Sequence, residues 1–355
     1  MVVLKNGFFR NTFKIIKYNL GTFIKFEIFY KLILAIIFMP LSIGIFGLAM
    51  KLTGYSYLTI ENISSFLLNQ ITIIILFLLI IFLTVITIFD ISTLIVIFDL
   101  SYHEKKIGVK DAIKVSLGRC KNIFNIKNIS VAFLVLFLIP FLNLGMSSNV
   151  ITSIKIPEFI MDFIVSNNTL FVLYLLLYLF LVFIITRWFY SLLYMVIENK
   201  SFKESRKASS TLVKGNKILN IIKILFMQLF IALIFIIVLL LGFLIIIILN
   251  KILSHFIIVK SLLITIIWLF LVFALIFVSI ASNGLSYAVL SSLFYKHKID
   301  KNEKIIPIEY KQVNKVKKKN TALKCTLILI SILLVVGGNF LTYRIVSGKT
   351  DLKKI

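Results

Sequence analysis

Long apolar runs alternate along the chain with short lysine-rich segments. The run at 66–100 holds almost nothing but Ile, Leu, Phe, Val and Thr, with Asp90 and Asp99 near its end. As a helix it would extend roughly 50 Å, against a hydrocarbon core of about 30 Å. It therefore crosses a bilayer and continues past it. The stretch that follows, 101–125, is basic and amphipathic, and the same pairing recurs around 187–216. This pattern predicts an all-α, polytopic transmembrane helical bundle. The alternation over about ten residues that a β-barrel strand needs is missing.

Taken in order, residues 1–30 interleave Lys5, Arg10, Lys14, Lys17 and Lys25 with Phe8, Phe9, Phe13, Phe23, Phe26 and Phe29. They read as an amphipathic stretch lying in the cytoplasmic interface. Spans are expected near 32–50, 66–100, 129–146, 170–197, 220–250, 262–295 and 325–341, about seven in all. Pro40 is tolerated within the first because neighbouring helices can satisfy the freed backbone groups. Tyr55 and Tyr57, in the outer loop at 51–65, suit the headgroup level. A second outer segment, 149–168, should carry an interfacial helix at 156–164 with Pro157 in its first turn. The whole of 1–355 reads as one integral membrane domain: the amphipathic stretch 1–30, a transmembrane region 32–341 and a short tail 342–355. Lys and Arg are dense in alternate connecting segments, which puts the N-terminus in the cytoplasm and the C-terminus outside the cell membrane. Arg344, Lys349, Lys353 and Lys354 in the tail keep open an inside C-terminus with one span miscounted.

A weak internal repeat underlies the alternation. Glu61 and Glu158 fall at matching places in the two outer loops, and Phe66-Leu67-Leu68 matches Phe163-Ile164-Val165 at the same offset. Asp99 and Glu198 each close a long helix and precede a Lys-containing turn, then Ser116 or Ser209 in an amphipathic stretch. The unit recurs about three times as a parallel repeat.

Composition agrees: 60% of the 355 residues are hydrophobic, against about 45–50% in soluble domains. The net charge of +25 would suit nucleic acid, but it sits between apolar runs where the positive-inside rule places it. Anionic inner-leaflet lipids are the expected partner, and nucleic acid is not. Cys120 and Cys325 lie far apart with neither CxxC nor metal spacing, so they read as free thiols.

Asp90 and Arg187 are the ionisable groups deepest in apolar runs. Asp90 stands nine residues before Asp99, and Arg187 eleven before Glu198. On parallel helices their depths would agree within roughly 3 Å. They form a candidate intramembrane ion pair holding two helices together, or alternatively part of a proton or ion relay. Ser279, Ser282, Asn283 and Ser286 make a small polar helix face for close packing or, alternatively, a substrate path. His103, His255 and His297 share no metal spacing and read as headgroup-level or solvated residues. No Gly-rich phosphate loop occurs, and Gly337-Gly338 suits helix packing. No catalytic residue, metal site or cofactor site is expected.

Several stretches together resemble the N-terminal membrane domain of bacterial glycerophosphodiester phosphodiesterases. They are 52–59 (Leu-Thr-Gly-Tyr-Ser-Tyr-Leu-Thr), Phe66-Leu67-Leu68-Asn69, 156–163 (Ile-Pro-Glu-Phe-Ile-Met-Asp-Phe), Arg187-Trp188 and Glu198-Asn199-Lys200-Ser201. Gln70 stands where the family would have Pro, which bears on where the long helix starts. In the family a soluble catalytic domain with a His-Arg-Gly motif follows the last helix. No such motif occurs through Ile355, so the resemblance assigns no catalytic residue here. It implies a lipid-facing anchoring module in glycerophospholipid metabolism, partnered by an extracellular phosphodiesterase catalytic domain and itself lacking that domain. The alternatives are a transporter or lipid-handling permease using Asp90, Arg187 and the serine face, or a scaffold without ligand.

Overall fold

The computed structural model describes residues 8–59, 61–123, 128, 130–131, 164–215, 217–252 and 256–310. The spans expected at 129–146 and 325–341, the outer helix at 156–164 and the tail fall wholly or almost wholly outside the described residues, as do His255 and Cys325. Every regular element among the described residues is a helix. They are α1 (Phe8–Tyr18), α2 (Leu20–Ile33), a π-helical turn (Leu34–Phe38), α3 (Met39–Leu52), α4 (Ile63–Leu68), α5 (Gln70–Tyr102), α6 (Val109–Ile123), α7 (Asn168–Arg187), α8 (Ser191–Glu198), α9 (Phe202–Val213), α10 (Lys217–Ile252) and α11 (Ile257–Asp300). Leu20–Leu52, Gln70–Tyr102, Leu219–Ile252 and Ile258–Asp300 are long and apolar enough to cross a membrane, and Asn168–Ile184 is a shorter apolar helix.

Three boundaries differ from the expectations. The first span begins at Leu20, not near residue 32, so residues 20–30 belong to a membrane helix and bury Phe23, Phe26, Glu27 and Tyr30. Its π-helical turn ends just before Pro40, with the Met39 N–H reaching the Leu34 carbonyl. That wider turn makes room for the ring and missing donor of proline without breaking the rod. The run at 66–100 is two helices, because Asn69 is extended (φ −68°, ψ 131°) and its side chain caps the Ile71 N–H at 2.9 Å. Asn167 caps α7 in the same way through Thr169 and Leu170. The run at 170–197 also breaks, at Trp188–Tyr190, into α7 and α8.

The chain forms two compact units. The first, Met1–Gln228 with Ser282–Gln312, holds a core made of the second half of α5, α8 and the end of α11. Helices α2, α6 and α9 pack around it. Four hydroxyls along α5 are satisfied within the helix: Thr84, Thr87, Thr93 and Ser101 each donate to the carbonyl four residues back, whereas the buried Thr72 and Ser92 hydroxyls have no hydrogen-bond partner among the described residues. Those four polar side chains thus sit in an apolar rod without an orphaned donor. In the second unit, the described part of Leu229–Ala281 is a pair of helical segments. There Phe243 meets Trp268 edge-on at 6.0 Å. A Cβ at Gly242 would stand 2.8 Å from the Leu271 side chain, so only glycine admits that approach.

Three helices, α5, α8 and α11, end alike, near a non-glycine residue in the left-handed region: Glu104 (φ 55°), Asn199 (φ 55°) and Asn302 (φ 52°). After the first two the chain doubles back into α6 and α9, and a serine ties each hairpin shut. The Thr93 and Ser116 hydroxyl oxygens lie 2.8 Å apart, within hydrogen-bond distance. The Tyr190 N–H donates to Ser209 Oγ at 2.9 Å, and Ser209 in turn donates to the Arg187 carbonyl at 3.1 Å. The serines that align in the sequence repeat therefore hold equivalent joints.

Candidate functional site

Two polar clusters and one basic surface are candidates. The first cluster lies in the membrane helices of the first unit. Glu27 is 0% exposed and Asp90 2% exposed. Lys31 Nζ lies 3.5 Å from Glu27 Oε2, one helical turn along α2. From α11, Asn283 Nδ2 points at both Glu27 oxygens at 3.5 Å. The charges acting on Asp90 are those of Glu27 and Lys31. Its Oδ1 has no hydrogen-bond partner among the described residues.

The second cluster closes the basic end of the helices. Asp99, fully buried, accepts the Tyr295 hydroxyl and, at 3.1 Å, the Ile308 N–H. His103 Nδ1 lies 3.6 Å from Asp99 Oδ1, and the Tyr102 and Tyr295 rings stack at 3.9 Å. Nearby in sequence to each helix end, Lys298 pairs with Glu198, whose other oxygen meets Lys200 at 2.6 Å. Tyr194 donates to Glu303 at 2.7 Å. The Tyr190 hydroxyl hydrogen-bonds His297 Nδ1 at 3.0 Å and accepts from Asn220 at 3.3 Å. Every one of these contacts holds a helix end to a neighbour, and the chemistry is that of a structural lock.

The basic surface is carried by α6 and α9. Ala112, Ser116, Cys120 and Ile123 form the buried face of α6, while Lys110, Lys114 and Lys121 are exposed. On α9, Phe202, Ser205, Ser209 and Leu212 are buried and Lys203 and Lys207 exposed. A capping box starts α9: Ser201 Oγ accepts the Glu204 N–H and Glu204 accepts the Ser201 N–H. Those bonds hold the Glu204 carboxyl below the usual range. Lys14, at 2.6 Å, does the same to Glu104 by hydrogen bond and charge. Burial pushes the Cys120 thiol up, which leaves it protonated and inert.

The residues singled out from the sequence fall apart in space. Asp90 and Arg187 are not paired: Asp90 faces Glu27 and Lys31, while Arg187 is exposed and donates from Nε to Ser210 at 3.0 Å. The break at Trp188–Tyr190 turns Arg187 off the line a continuous helix would have given it. The serine face divides. Ser282 donates to Gln228 Oε1 at 2.5 Å, and Gln228 Nε2 bonds the Ser282 carbonyl at 3.2 Å and Ser286 Oγ. Asn283 turns to Glu27, and Ser279 is partly buried. Ser282 and Ser286 therefore serve helix packing through Gln228. His297 is buried rather than solvated, and His103 packs on the rings of Tyr102 and Tyr295. Glu27 and Lys31 were hidden among interfacial-looking lysines. Their signal was an acid and a base four apart, flanked by Phe23, Phe26 and Tyr30, which is one face of a buried helix.

A shallow cavity of about 490 Å³ at the end of α3 is lined by Gly47, Met50, Lys51, Gly54, Tyr55 and Ser56. Its floor is set by the loop motif. Gly54 takes φ +80°. Asn62 Oδ1 accepts the Thr59 N–H at 2.7 Å, and its Nδ2 donates to the Tyr57 carbonyl at 3.1 Å. Tyr55 packs edge-on against buried Phe66. The motif that carried the family resemblance thus builds a turn. Among the described residues no group of three or more His, Cys, Asp or Glu side chains is placed to hold a metal ion.

The model of one protein family, the membrane domain of glycerophosphoryl diester phosphodiesterase, matches residues 9–337. No curated protein and no solved structure matches the chain. The match takes in the outer turn, both helical hairpins and both polar clusters, and by it this chain belongs to the family of glycerophosphoryl diester phosphodiesterase membrane domains.

Proposed function

We propose that this chain is the lipid-facing module of a glycerophosphodiester phosphodiesterase system, holding that hydrolytic activity at the membrane where headgroup diesters lie. The observation that carries the reading is the pair of basic amphipathic helices, α6 and α9, each locked by a serine to the end of an apolar helix. Lysines on such helices gain about 1 kcal/mol each from an anionic leaflet. The module therefore sits with α6 and α9 on the cytoplasmic leaflet and the N-terminus inside. The chemistry belongs to a phosphodiesterase catalytic domain on the outer face, and the module's metabolic role is in glycerophospholipid turnover.

Two measurements test this. The chain, tagged and extracted from its native membrane, should cofractionate with glycerophosphodiester hydrolysis. Activity that separates cleanly from it would refute the reading. In sealed cells, single cysteines at Lys114 and Lys207 should resist a membrane-impermeant thiol reagent until the membrane is opened, and labelling from outside would reverse the orientation.

A further inference from the structure

Glu27, Lys31, Asp90 and Asn283 come from α2, α5 and α11, and meet in the core of the first unit. Two acids share a single ammonium. Lys31 pairs with Glu27 at 3.5 Å, with Asn283 as a neutral donor to the same carboxylate. Asp90, at 2% exposure, is left with one oxygen that nothing bonds among the described residues. A 1:1 ion pair would be balanced, but among the described residues this cluster carries one negative charge too many if both acids are ionised. A buried, unbonded carboxylate oxygen is among the most costly polar states in a low-dielectric interior. Among the described residues, the other groups facing the cluster carry no positive charge. Tyr287, buried on α11, lies beside both acids and is uncharged. Tyr30 gives its hydroxyl to the Ile86 carbonyl at 3.3 Å. On α6, Cys120 contacts the Ile88 carbonyl. The Lys31 side chain is 15% exposed, so the cluster opens outward at its ammonium.

We propose that Glu27 and Asp90 form a proton-binding site, holding one exchangeable proton between them while Lys31 neutralises the remaining carboxylate. The step is simple in its balance. Hydronium gives its proton to a carboxylate oxygen and leaves as water; release reverses this, and no other bond changes. With the proton bound, α2, α5 and α11 meet across a neutral cluster. Without it, like charges on α2 and α5 face each other and the contact loosens. The membrane domain is then a proton-responsive element, whichever enzyme it serves, so the site stands or falls apart from the phosphodiesterase reading.

The test uses the full chain in lipid nanodiscs, followed by infrared difference spectroscopy in H₂O and D₂O as pH is raised. Wild type should show a carboxylic C=O band that shifts in D₂O and is lost in a one-proton step. Asp90→Asn leaves one acid against one ammonium. It should fold with thermal stability comparable to wild type, lack that band, and lose the alkaline drop in stability. Three results would overturn the proposal. One is a wild type with no protonated carboxyl at neutral pH. Another is a band unchanged in both Asp90→Asn and Glu27→Gln. The third is an Asp90→Asn chain that does not fold while wild type does, because a proton-holding acid tolerates its neutral isostere and a permanent anion does not.

Discussion

Asp99, at the end of α5, accepts the backbone N–H of Ile308 at 3.1 Å across 209 residues of sequence, and both are buried. The same carboxylate takes the Tyr295 hydroxyl. The stretch 301–310 is thereby fastened over the end of the core, with Tyr310 reaching Asp111 at 3.3 Å. Asp99→Ala strands two buried donors, at about 1–3 kcal/mol each. The expected outcome is a stability loss of about 2–4 kcal/mol, with new tryptic cleavage at Lys301 and Lys304. Asp99→Asn keeps an acceptor and should lose less. An unaltered melting temperature and cleavage pattern in Asp99→Ala would show that the strap does not depend on this carboxylate.

Lys298 and Glu198 form a buried pair, with side chains 2% and 3% exposed. Removing one partner of such a pair costs about 3–5 kcal/mol, because the other charge is left buried. Lys200 also touches Glu198, so Lys298→Met should fall at the lower end, about 3 kcal/mol. The Glu198→Met/Lys298→Met double variant should regain most of that. A double-mutant cycle by chemical unfolding reads the coupling, and additive losses would deny it.

Gly284, on α11, faces the Phe23 ring of α2 so closely that any Cβ would overlap it. Phe23 cannot simply swing away, since it is buried and packs against Phe98 at 5.4 Å. Gly284→Ala should therefore destabilise by about 1–3 kcal/mol through overpacking. Gly284→Ala with Phe23→Leu should recover part of the loss, which thermal unfolding of the two proteins in detergent would reveal.

Acid should weaken the basic end before it weakens the apolar helices. Glu104 and Glu204 both titrate lower in the folded chain than when unfolded. Their contributions are therefore complete above the unfolded carboxylate range, near pH 4.5, and are lost as pH falls through the lower folded values. Glu204→Gln should flatten that acid limb in a pH series of melting temperatures. Ser201→Ala removes the other half of the capping box and should cost about 1 kcal/mol at neutral pH. An acid limb identical in wild type and Glu204→Gln would place the titration elsewhere.

Sequence by itself determined that this is a helical membrane protein, because lipid offers no partners to the backbone and only long apolar runs can meet that condition. It also determined the basic hairpins after the long helices, since apolar periodicity and lysine placement are local properties. Asp99, Glu198, Ser116 and Ser209 were legible as aligned positions, and each ties a helix to a neighbouring segment, through partners of different kinds. What only the tertiary structure decided is which charges meet. Asp90 and Arg187 agreed in depth, but depth fixes one coordinate along a rod and says nothing of its rotation or of a break at Trp188–Tyr190. Glu27 and Lys31 read as surface charges until residues 20–30 proved to be a helix with one buried face. Partners such as Asn283, 256 residues from Glu27, are set by how helices pack, and that is a global property no local pattern encodes.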